Sequence, residues 1–274
     1  MIDKPTRITK VTSIMKKATW ALCLGLSSHL VSAMEPRWKD PEIVEQVFYL
    51  VALHNEYSQE QQKIRKWTQP IHIFLDHQVP DQELHTDLAR MQIEHLSKLT
   101  NHPIDFVETP EQANVIWQYT RQSKWEESVR SMMGEKSVQH VKSALCMANF
   151  ATNSRDELVR ANIIIPVDQA RDHGKLLACV VEEVTQIMGL PNDSDQAYPS
   201  IFNDHSPEDL LSPLDGLLLK LLYHPSVKAG MTREEVEPVI QELLMQFVFD
   251  GTFDQVIAEV NQGELHKMMG YGFH

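Results

Sequence analysis

The chain has 274 residues, room for one generous domain or two small ones. With 42% hydrophobic and 23% charged residues it can build a packed core, which excludes a disordered or fibrous chain. Its net charge of -13, with the basic residues scattered, argues against nucleic-acid binding, and no apolar run reaches the roughly 18 to 20 residues of a membrane-spanning helix.

The first 33 residues read as a targeting segment. Met15-Lys16-Lys17 supplies a positive start, Ala18 to Leu26 is mostly apolar, and Val31-Ser32-Ala33 is a small-residue cleavage site. The expected cut lies between Ala33 and Met34. A leader starting at Met15 is 19 residues long, and Met15 is the expected start; the alternative is a longer charged region from Met1. Removing residues 1–33 takes five bases (Lys4, Arg7, Lys10, Lys16, Lys17) from 25 and one acid (Asp3) from 38. The mature chain then carries 20 basic and 37 acidic residues, a net of -17. A periplasmic or secreted bacterial protein is expected. Of three cysteines, Cys23 leaves with the leader; Cys146 and Cys179 are expected to form a disulfide in an oxidising compartment, the alternative being two buried thiols.

Asp40-Pro41 is an N-cap followed by a first-position proline, and Ile43, Val44, Val47, Phe48 and Val51 fall at helical spacing, predicting a helix from 41 to about 65. Trp67 to Asp76 reads as a strand, Asp81 to Leu99 as a helix, and Ile104 to Val107 and Asn114 to Tyr119 as two short strands. Residues 120–160 show no firm period. Ala161 to Val167 is a dense apolar strand, and a long helix is predicted from about Ala170 to Leu190, ending at Gly189. Three further helices are expected, with starts at Ser206-Pro207, Ser212-Pro213 and the Thr232/Glu235 capping box, then one short helix after Gly251. Strand–helix–strand order of this kind implies a fold of the α+β (α/β-like) class.

The helix around LLACVVEEVTQIMGL carries the functional argument. At 100° per residue, Leu176, Leu177, Val180, Val181, Val184, Ile187 and Met188 make a core-facing stripe. Cys179, Glu182, Gln186 and Gly189 fall on roughly the opposite side, with Glu183 at its flank. Glu182 and Gln186 are i and i+4 neighbours, two oxygen donors able to reach one point. Alone, E-E-x-x-Q is the solvated face of an ordinary amphipathic helix.

The longer stretch Glu182-Glu183-x-x-Gln186-x-x-Gly189-Leu190-x-Asn192-Asp193 resembles the metzincin-type zinc peptidase pattern H-E-x-x-H-x-x-G-x-x-H. Ser200-Ile201-Phe202 falls where such peptidases place the turn beneath the metal, and Leu211-Ser212-x-x-Asp215 through Leu222-Tyr223 resembles their closing helix. More closely, the sequence from about Trp67 to Met231 resembles the secreted bacterial domain-of-unknown-function family 2927. That resemblance rests on Lys66-Trp67-x-x-Pro70, Cys146, the Cys179–Asp193 segment, Ser200 to Asp204, Leu222-Tyr223 and Gly230-Met231.

These resemblances imply a zincin-like mixed sheet with a long active-site-type helix, plus N- and C-terminal helices. The implied organisation is a signal peptide at 1–33, an N-terminal helix at 34–66, a zincin-like domain at 67–230 and a C-terminal helical extension at 231–274. Glu183 matches the catalytic general base, Gly189 the turn glycine. The three zinc-binding histidines are replaced by Glu182, Gln186 and Asn192, with Asp193 and Asp195 as further oxygens. One carboxylate and two amides suit zinc poorly. Such a set leaves a divalent metal, calcium or zinc, or none. His173, His205 and His224 flank the segment without metal-ligand spacing. Two functions are therefore expected: a peptide hydrolase using Glu183, or a non-catalytic zincin-fold factor that binds a peptide or an envelope protein.

Overall fold

The computed structural model describes residues 36–54 and 63–274; the expected leader, its expected cleavage site and Cys23 lie outside the described residues. Helix α1 (Pro41–Ala52) starts where Asp40 Oδ1 accepts the Glu42 N–H at 2.9 Å, with Pro41 at the position that needs no donor. It ends about three and a half turns before the expected stop at 65. Leu53 caps it, residues 55–62 lie outside the described residues, and at Lys63 the chain is already extended and bridged to Thr232.

The expected strand over 67–76 divides at Thr68-Gln69-Pro70 into β1 (Lys66–Trp67) and β2 (Ile71–His77). Helix α2 (Gln82–Thr100) follows, then β3 (Ile104–Phe106) and β4 (Val115–Thr120). The segment without a readable period holds α3 (Gln122–Met133) and β5 (Met147–Thr152), and β6 runs from Glu157 to Pro166. The sheet is mixed, with order β1-β6-β4-β2-β3 and every pair along it parallel. Among the strands of the described residues only β5 is antiparallel, against β6. Ala161 of β6 pairs with Val115 of β4 and with Phe150 of β5, and Leu158 pairs with Trp67 and Thr152, so β5 lies on the side of β6 away from β1 and β4. Among the described residues β5 is thus an edge strand.

The apolar run in β6 follows from burial on both faces. Ile163 and Ile165 point into the main core, while Ile164 packs in a smaller cluster with Trp125 and Val129 of α3. The predicted long helix over 170–190 is two helices, α4 (Val167–Asp172) and α5 (Leu176–Gln186). Gly174 takes φ +67° between them, and the Lys175 N–H turns back to Ala170 O at 2.7 Å. After α5 an irregular stretch leads to α6 (Pro213–Tyr223), α7 (Arg233–Asp250), α8 (Thr252–Asn261) and α9 (Glu264–Met269). Ser212-Pro213 and Thr232 start helices as expected. Ser206-Pro207 does not: the Ser206 Oγ accepts the Ser200 N–H at 3.2 Å and donates to Glu208, so it serves a turn. The tail after Gly251 forms two helices rather than one. Helix α2 packs on α5 and α6, and α1 packs on α6 and α7.

Candidate functional site

Helix α5 presents Glu182, Glu183 and Gln186 to a cleft of about 420 Å³, because Gln186 lies four residues after Glu182 and three after Glu183, spacings that share a helix face. The opposite wall is the start of β5, at Cys146 to Ala148, and the floor is the loop through Ile201, Asn203 and Asp204. Glu183 is 5% exposed, deeper than the flank position that the helical wheel gives it, while Glu182 and Gln186 are half-buried. Gln186 Nε2 donates to Asp193 Oδ1 at 3.3 Å, so α5 and the residue seven further on meet at the cleft.

Three contacts fix the chain as it leaves α5. The Trp67 indole donates to Ile187 O at 2.7 Å, and the Tyr223 hydroxyl donates to Met188 O at 2.8 Å, satisfying carbonyls left over at the helix end. Gly189 then turns at φ +112°, where a Cβ would stand 2.0 Å from the Arg65 carbonyl oxygen. The Lys66-Trp67 and Leu222-Tyr223 motifs thus act on one turn from two sides.

The loop that forms the floor is held from below. Asp215 is fully buried; its carboxylate accepts from Ser200 Oγ at 2.5 Å, Ser212 N at 2.7 Å and Ile201 N at 3.2 Å. Burial pushes this carboxyl up to about 6, against the hydrogen bonds from Ser200, Ser212 and Ile201 that pull it down. The disulfide Cys146–Cys179 ties β5 to α5 one turn before Glu182. Lys175, which also lines the cleft, is paired with Asp209 at 2.7 Å.

Not every residue of the pattern enters the cleft. Asn192 Nδ2 donates to Leu50 O at 3.0 Å and to Asp193 O at 2.8 Å, and its N–H goes to Val51 O at 3.3 Å. It is a strut between the loop and the end of α1, and it does not line the cleft. Asp195 pairs with His205 at 3.6 Å in an exposed position, and His173 contacts Gln169 O at 2.9 Å. His224 lines a different cavity. Among the described residues no three His, Cys, Asp or Glu side chains are grouped so as to hold a metal ion. With Asn192 engaged elsewhere, Glu182, Gln186 and Asn192 do not form a set that fits zinc.

Periodicity did not point to Asp204, Glu208, Lys175 or β5 as parts of this site. Only the acidic surplus of the whole sequence hints at the cleft's charge: its lining holds Glu182, Glu183, Asp193, Asp204 and Glu208 against the one ammonium of Lys175.

The sequence matches the family described as protein of unknown function (DUF2927) over residues 41–242. The chain belongs to this family. No curated protein matches it. The match begins at α1 and ends within α7, so it takes in the cleft, the turn at Gly189 and the disulfide, and is wider than the Trp67–Met231 resemblance. In this DUF2927 chain α8 and α9 lie beyond the matched residues.

Proposed function

We propose that this chain is a cell-envelope protein with a zincin-like fold that holds an extended, positively charged peptide segment in the cleft between α5 and β5 without cleaving it. The observation that carries this reading is an edge strand set beside an acidic cleft. An extended peptide can add to such an edge through main-chain hydrogen bonds, with side-chain pockets supplying selectivity. Met147 and Ala148 of β5 border both the acidic cleft and a neighbouring hollow of about 300 Å³ lined by Gln139, His140 and Pro191, which lengthens the track along the strand. Five carboxylates against one paired lysine favour a cationic occupant.

A parallel sheet whose single antiparallel strand lies at the edge, beside the helix that bears E-E-x-x-Q, supports the zincin-like reading. The leader at 1–33 and a disulfide, which persists in oxidising compartments, support a location outside the cytoplasm. The unsuited ligand set weighs against hydrolysis. A hydrolase reading keeps one specific observation, the burial of Glu183 at the cleft, which suits a general base.

Fluorescence anisotropy of labelled extended peptides tests both. Lysine-rich peptides should bind and glutamate-rich ones should not, Asp204→Lys with Glu208→Lys should reverse the preference, and mass spectrometry should recover the peptide intact. Equal binding of both peptide types would overturn the proposal. Cleavage that disappears in a folded Glu183→Ala variant would establish the hydrolase instead.

A further inference from the structure

A second cavity, of about 520 Å³, shares no lining residue with the cleft. It is an open hollow lined by β1, the end of α2 with the turn through His102, the last turn of α6, and the loop 224–229. Acids outnumber Lys and Arg by 38 to 25 in this chain, yet the charged and imidazole groups on this lining are Lys66, His102, Lys220, His224 and Lys228, without one Asp or Glu.

Lys66 is the key group. It is 8% exposed, and its ammonium donates to Leu222 O at 2.6 Å and Val227 O at 3.1 Å while lying 5.0 Å from the Tyr223 ring. Capping Leu222 O near the end of α6 and bonding Val227 O in the loop that follows explain two of its three N–H donors. It does not explain the charge: no carboxylate among the described residues pairs with Lys66, and a buried ammonium without a counter-ion is costly. Lys220 is already neutralised by Glu259 at 2.7 Å, so the surplus belongs to Lys66 and Lys228. The His224 Nδ1 accepts the Ser226 N–H at 3.2 Å, which makes Nε2 the donor of the neutral ring. Trp67, Leu99, Val227 and Phe247 add an apolar floor.

We propose that this cavity binds a small oxyanion, phosphate or carboxylate, carried on an apolar body, with Lys66 and Lys228 as its counter-charges and His224 as a hydrogen-bond donor. The proposal is independent of the reading given to the cleft. Desolvation first, then Lys228, lowers the Lys66 ammonium to about 8, and Lys66 in turn helps to lower His102 and His224. Such a positive pocket gains from an anion, and its affinity falls once the pH rises past about 8 and Lys66 loses its proton.

Isothermal titration of the full chain with hexyl phosphate, inorganic phosphate, and vesicles of phosphatidic acid or phosphatidylcholine tests this. Hexyl phosphate should bind at least about tenfold more tightly than inorganic phosphate, and Lys228→Ala and Lys66→Met should each weaken it roughly tenfold. Lys220→Ala should change little. Binding to phosphatidic acid vesicles that Lys228→Ala abolishes would assign the anion to a lipid headgroup in the same cavity. If Lys66→Met does not fold, Lys228→Ala and the ring proton shifts of His102 and His224 on titration decide. Absence of binding to hexyl phosphate and to both vesicle types at about millimolar concentration, or binding that Lys228→Ala leaves unchanged, overturns the proposal.

Discussion

At Gly189 the backbone takes φ +112°, and the nearest atom to a notional Cβ is a main-chain oxygen, that of Arg65. A flexible side chain could swing aside, but a backbone carbonyl in a packed turn cannot. Gly189→Ala therefore combines backbone strain with a clash, and it should cost about 2–4 kcal/mol in urea unfolding; a variant as stable as the parent would refute this account of the turn. Asp215 makes a similar demand through polarity. Both carboxylate oxygens accept hydrogen bonds, one from Ser200 and the other from the N–H groups of Ile201 and Ser212. Asp215→Asn keeps an oxygen on the N–H groups of Ile201 and Ser212 only by turning its NH₂ to Ser200, whose hydroxyl then loses its acceptor, so a loss of about 1–3 kcal/mol is expected. Because the loop held by Asp215 is the cleft floor, peptide affinity should fall even under conditions where the variant stays folded. Anisotropy titration well below the unfolding midpoint checks that second effect.

Between elements, the Cys146–Cys179 bridge matters because it joins the edge strand to the helix that faces it across the cleft. The bonded pair is 33 residues apart, a loop whose closure stabilises by roughly 3–4 kcal/mol in the chain-entropy model. Cys146→Ser/Cys179→Ser should lose about that much, and amide exchange in 147–152 should rise more than in 161–166, since β5 pairs on one side only. Uniform exchange across both strands would contradict this tether. The same contrast explains what the sequence made readable. Glu182, Glu183 and Gln186 share a face through helical geometry alone, and the Ser212/Asp215 and Thr232/Glu235 boxes are likewise local. The break at Gly174 was hidden because Val167, Ala170 and Leu177 keep helical spacing across it. Ser206-Pro207 has the composition of a helix start, but Ser200, six residues earlier, draws the hydroxyl into a turn. Met147 to Thr152 alternates weakly, and only pairing with β6 makes it a strand. Asn192 sits at the spacing of a metal ligand, yet its partner is Leu50, 142 residues away. Spacing along a chain does not report such a contact.

Over the whole molecule, the buried ionisable groups set how stability changes with pH. His85, His95 and His266 are almost wholly buried, and burial lowers all three, His85 and His95 to about 4. A depressed histidine stabilises the fold fully above its unfolded value of 6.5, and that contribution is lost as the pH falls towards the folded value. For His95, facing His266 with Lys98 and Lys267 nearby, the contribution is roughly 3 kcal/mol. Asp215 acts with the opposite sign: raised from 3.8 to about 6, it regains stability as the pH falls through the same window, by about 3 kcal/mol. One carboxyl thus offsets about one histidine. His77, His102 and His224 are also lowered, so the histidines prevail. The urea midpoint should therefore fall between about pH 7 and about pH 4.5, and His95→Gln should flatten part of that slope. Protonating surface carboxylates also relieves the repulsion of a chain at -13, which works the other way. Repeating the titration in about 0.5 M salt screens that surface contribution and leaves the buried imidazoles, so the fall should become steeper. A midpoint that stays flat across this range at high salt would show that the buried histidines do not govern acid unfolding.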